Sequence, residues 1–164
     1  MAVSTDILRT WRAPRAVMRD LLAMGPREDR AIAYLMVACL LVFIAQWPRL
    51  ARVAHEQQIP LDREIAYELF GWLFVWPLIF YAIAGLSYLV LRLLFGGATP
   101  FGARLALFWS FLAASPMALL YGLLNGVNGA SSASQLVGLV WLLAFGAFWV
   151  QSLREVRALA GAGT

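Results

Sequence analysis

Lysine is absent from the 164 residues, histidine and cysteine occur once each, and the acids number nine. Each shortage excludes something. All thirteen basic residues are arginine, a bias read as coding preference that suggests a bacterial source. Cys39, alone, can form no internal disulfide, so the redox compartment is unreadable. His55, beside Glu56, is too solitary for a zinc site, which takes several His, Cys or carboxylate ligands; neither a metal nor any other cofactor is expected. No glycine-rich phosphate loop follows a strand pattern. The apolar runs hold no ionisable group in their interiors, so an ion path through one copy lacks its usual residues. Ser115 likewise has no intramembrane base to make it a nucleophile, and no enzyme is expected.

What is present is apolar surface. Hydrophobic residues make up 62%, charged residues 13%, and the mean hydropathy is +0.75. A chain this short cannot hide that much apolar surface in a water-soluble core, so its solvent is lipid. Four spans of about 20 residues would use half the chain and leave no room for a separate soluble domain. The net charge of +4 would suggest a nucleic-acid partner in a soluble protein. Here the arginines flank apolar spans, where the positive-inside rule accounts for them, and no nucleic acid is expected.

In chain order, residues 1–25 form an amphipathic segment. Ile7, Leu8, Trp11, Pro14, Met18, Leu21 and Leu22 recur at helical steps, while Arg9, Arg12, Arg15, Arg19 and Asp20 take the other faces. Pro14 should break it in two. The segment is expected to lie in the membrane interface, with Trp11 and the four arginines against anionic headgroups; docking on the bundle's own cytoplasmic end is the alternative. The first thirty residues carry no signal-peptide pattern, so insertion is expected to use the first span.

Residues 26–157 are expected to form an all-α, four-helix transmembrane domain with spans at about 31–47, 66–94, 103–124 and 135–152; residues 158–164 read as a frayed tail. Tyr34 and Trp47 mark the two interfaces of the first span, and Pro48 ends or kinks it before a polar connection from Arg49 to Gln58, with continuation as a short surface helix the alternative. Asp62 is the expected N-cap of the second helix. Its apolar run from Ile65 to Phe95 would reach roughly 46 Å against about 30 Å of hydrocarbon, so either its first turns project outward or it kinks at Pro77. Gly96-Gly97 reads as a turn and Asn125 to Ser134 as a loop.

Ten arginines and five acids fall on the side of the two termini, a net +5, against three arginines and four acids, a net −1, on the other. That places both termini in the cytoplasm of a bacterial inner-membrane protein.

The third span is read as the hub. Gly102, Ala106, Ser110, Ala114, Ala118, Gly122 and Gly126 are small at every fourth position, which lets neighbouring backbones approach. Because four residues advance 400°, the stripe drifts about 40° per step and is expected to serve more than one neighbour, chiefly the second helix. Pro77 and Pro116 are candidate kinks at matched depth, either structural or flanking a cavity, and the Ser115 hydroxyl is expected to bond a carbonyl one turn back.

Ala13-Pro14-Arg15-Ala16-Val17-Met18-Arg19 before a charged collar, and Gly102 through Ser115-Pro116 to Tyr121-Gly122, resemble the YIP family. Its eukaryotic members are membrane proteins that interact with Rab GTPases; the resemblance is to the bacterial branch. Family members usually show five spans, and four are counted here. The resemblance implies a membrane-organising, partner-binding protein with no catalytic residues. The expected function is therefore a non-enzymatic scaffold or accessory subunit, its partners being the bilayer and another membrane protein or itself. A small oligomeric transporter or channel component using the Pro77/Pro116 helices is the alternative.

Overall fold

Helical periodicity with no strand pattern produces helices throughout the described residues of the computed structural model, 3–95, 98–129 and 131–162. They are α1 (Val3–Thr10), α2 (Pro14–Ala23), α3 (Glu28–Gln57), α4 (Leu61–Phe70), a π turn (Gly71–Val75), α5 (Trp76–Phe95), α6 (Pro100–Asn128) and α7 (Ser132–Ala162). Four stretches, Glu28–Gln57, Leu61–Leu94, Pro100–Asn128 and Ser132–Gly161, are long and apolar enough to cross a membrane. The protein is a multi-pass membrane helix bundle.

The helices outrun the spans that hydropathy marks, because hydropathy follows the apolar run whereas backbone hydrogen bonding continues into polar turns. α3 passes through Pro48 and ends at Gln57, where Gln58 adopts a left-handed conformation, φ 55°, as its cap. The polar connection from Arg49 is therefore helical as far as Gln57, continuous with α3. The loop expected from Asn125 contracts because α6 runs to Asn128 and Ser131 caps α7, accepting the Ser134 N–H at 3.3 Å. The expected tail is helical as far as Ala162. Thr99 caps α6 in the same way, accepting the Gly102 N–H at 3.0 Å ahead of Pro100 at the first helical position. Asp62 is not an N-cap: the helix starts at Leu61, and Asp62 lies in its first turn. Gly96-Gly97 lies outside the described residues.

The long second span yields just ahead of its proline. Pro77 has no N–H, and its ring would press on the carbonyl four residues back. A π turn absorbs this, the Trp76 N–H reaching five residues back to the Gly71 carbonyl.

α6 is the centre. From Leu105 to Ser115 every residue is buried, which for a helix means neighbours on all sides. By the share of the apolar window buried, α6 reaches 61%, α3 39%, and the second and fourth spans 11% each. α6 packs most extensively on α3 and α7 and less on α5, correcting the expectation that the second helix is its chief partner. Ring pairs hold α5 off: Phe80 to Phe111 at 4.4 Å and Tyr81 to Phe108 at 5.1 Å between centroids. Small residues face α3 and α7 instead. Arginines tie the ends, Arg104 to Glu28 between α6 and α3, and Arg49 to Glu68 at 2.7 Å between α3 and α4.

Candidate functional site

The stripe divides between two neighbours. Toward the start of α6, a β-carbon at Gly102 would stand 2.7 Å from Val156 of α7, Ser110 lies 3.4 Å from Ser152 hydroxyl to hydroxyl, and Ala114 clusters with Phe148. Toward the other end the contacts pass to α3: Gly122 abuts the Ala45 carbonyl and Gly126 the Pro48 ring. Ala106 and Ala118 are buried in the main core. This handover is the geometry that a 40° drift per step produces on a straight helix.

Pro116 is exposed, since inward-facing Ala114 and Ala118 put the residue between them on the opposite face. Pro77 is half-buried, and neither proline is among the residues lining the cavity between α5 and α7. The bond one turn back expected of Ser115 is made instead by Ser110, to the Ala106 carbonyl at 2.6 Å, and on α5 by Ser87, to the Ile83 carbonyl at 2.6 Å. Proline leaves the carbonyls of the preceding turn poorly supplied with donors. For Pro116 the carbonyl that loses its donor is that of Leu112; the next one along, Ala113, accepts the indole N–H of Trp11 at 3.1 Å.

That bond places the N-terminal segment on the bundle. α1 and α2 form a helical hairpin, broken at Trp11–Ala13, whose tip meets α6 thirteen residues beyond Pro100, roughly 20 Å along its axis. The Trp109 indole donates to Thr10 at 3.1 Å, and the Thr10 hydroxyl donates to the Asp6 carbonyl at 2.8 Å. Tyr34, expected at a membrane interface, is buried edge-on against Trp109. Val17, Met18 and Leu21 are buried, and Trp11 also meets Phe148 edge to face. Arg30 closes the hairpin by donating to the Leu21 carbonyl at 3.1 Å, near the end of α2 where carbonyls lack helical partners.

The arginines expected to face lipid are divided. Arg15 and Arg19 bond Glu155 of α7 through their Nε atoms at 3.0 and 2.7 Å, and the Glu155 side chain is 2% exposed. Its hydrogen bond and charge raise the Arg19 pKa above the ordinary guanidinium value. Arg9 pairs with Asp6 and Asp20. Arg12 is exposed and, with Arg15, Arg19, Gln151 and the first turn of α2, lines a cavity of about 410 Å³. Sequence reasoning missed Glu155, although it is the one acid between Gln135 and Thr164 and the N-terminal segment carries four arginines able to pair with it.

A second cavity lies between α5 and α7 over α6. About 460 Å³ in volume, it is lined by rings, among them Trp72, Trp76, Phe111, Trp141, Phe145 and Trp149. The indole N–H groups of Trp72, Trp141 and Trp149 are buried without a partner. Among the described residues no three His, Cys, Asp or Glu side chains gather as metal ligands. Compared with known proteins, the chain matches no family model, no curated protein and no solved structure.

Proposed function

We propose that the protein is a non-enzymatic scaffold or accessory subunit of a bacterial inner membrane, acting through helix packing and a basic cytoplasmic face. One observation carries the reading: the middle of the bundle is a solid helix, buried without interruption from Leu105 to Ser115, where a single-copy pore would need space or polar lining. The apolar faces of the second and fourth spans, scarcely covered by their own chain, are the surfaces offered to a partner or to lipid. Charge asymmetry supports cytoplasmic termini. The resemblance to the YIP family points the same way, toward partner binding.

Crosslinking in native membranes followed by purification in mild detergent tests this reading. A defined protein partner supports it. A homo-oligomer that passes solute or ions in liposomes overturns it in favour of a transporter component. That second reading draws on the ring-lined cavity rather than on the two prolines.

A further inference from the structure

We propose that the arginine-lined cavity at the start of α2 binds the phosphate of an anionic membrane phospholipid. The inference rests on the bilayer-embedded reading above and names a site within it.

Three features converge on the cavity. α2 opens with Pro14 after Ala13, whose side chain caps nothing, so the first-turn N–H groups and the positive end of the helix dipole have no anionic partner of their own. Arg12, Arg15 and Arg19 line the same space, with Gln151 of α7 opposite. The bonds from Arg15 and Arg19 to Glu155 use Nε, leaving the Nη donors of both guanidinium groups for a second acceptor. Both side chains are more than half exposed.

The charged groups facing the site are these three arginines and the Glu155 carboxylate that two of them hold, a balance of +2; Arg9 and Asp20 beside them pair with each other. A net positive cradle of planar forks and backbone N–H groups matches a phosphate. The position favours a lipid as its source. On α7, Gln151 marks the point where the apolar run gives way to Arg154, Glu155 and Arg157, the level at which headgroups sit. A neighbouring cavity of about 430 Å³ shares Arg12 and is flanked by exposed Leu8 and Trp11, apolar surface beside the cradle for the start of an acyl chain.

The test uses the full-length protein in an uncharged detergent. Native mass spectrometry would compare retention of phosphatidylglycerol, phosphatidylcholine and inorganic phosphate. Phosphatidylglycerol should be held about tenfold or more over phosphatidylcholine, with inorganic phosphate a weak competitor. Arg12→Gln, which touches no internal ion pair, should weaken phosphatidylglycerol about fivefold. Glu155→Gln raises the positive balance of the cradle and should tighten it, whereas a purely structural role for the arginines predicts no gain. Circular dichroism and a monodisperse elution profile identify folded variants.

Equal retention of the two lipids, an Arg12→Gln protein that binds as the parent does, or inorganic phosphate competing as strongly as the lipid would each overturn the proposal. Alkaline extraction of membranes separates the two levels. A protein that washes off refutes the embedded reading, and one that stays but shows no lipid preference refutes only the cradle.

Discussion

Gly122 of α6 meets the backbone carbonyl of Ala45 in α3 so closely that a β-carbon built at position 122 would overlap it. Gly126 stands in the same relation to Pro48, whereas Gly146 of α7 has no neighbour within 4 Å of where its β-carbon would be. Gly122→Leu or Gly126→Leu should therefore destabilise the bundle by about 1–3 kcal/mol or more through overpacking. Gly146→Ala should stabilise it by about 0.5–1 kcal/mol, through reduced backbone freedom in the unfolded chain. Unfolding in mixed micelles of rising denaturing-detergent fraction measures all three; similar effects at positions 122 and 146 would refute the close α3–α6 crossing.

Five tryptophans separate into two classes by their N–H groups. Trp11 and Trp109 donate to Ala113 and Thr10, while Trp72, Trp141 and Trp149 have buried N–H groups with no partner. Phenylalanine keeps most of the ring and removes the donor. Trp11→Phe and Trp109→Phe should each cost about 1 kcal/mol, and the same change at the other three should be close to neutral in hydrogen-bond energy. The same unfolding assay ranks them, and a reversed order would count against the donor assignments.

The hairpin is held to α7 by one carboxylate and two guanidinium groups. Replacing Arg15 and Arg19 together by Gln leaves Glu155 buried without a cation, a larger loss than Glu155→Gln, which removes the charge along with the need for it. Hydrogen exchange across residues 3–23 should rise roughly tenfold or more in the double variant and less in the single one. Equal exchange in both would mean that apolar contacts alone dock the segment.

Cys39 is fully buried in the core. A membrane-permeant maleimide should label the folded protein only as fast as the bundle opens, so the labelling rate should follow the stability order of the glycine variants. Rapid labelling of the parent protein would contradict the α3–α6 packing.

Composition and period determined much of this protein. A 62% apolar chain with charge confined to the ends of its runs has to fold as membrane helices, since only intrahelical hydrogen bonds satisfy a lipid-exposed backbone in this pattern. Pro14 broke the N-terminal segment where its fixed φ and missing N–H require, and the drift of the small-residue stripe implied two neighbours. Partner choice was not legible, because period shows which face of a helix is small and not which helix covers it. Phe80 and Tyr81 against Phe111 and Phe108 kept α5 at a distance, and that depends on ring contacts between residues far apart in the chain. The fate of the arginines was decided in the same way. In the sequence, Arg15 and Arg19 resemble Arg12; in the structure all three line one cavity, but only Arg15 and Arg19 also hold Glu155, about 140 residues away. Local pattern fixes where a charge can emerge from a helix, but only tertiary packing decides what lies opposite it.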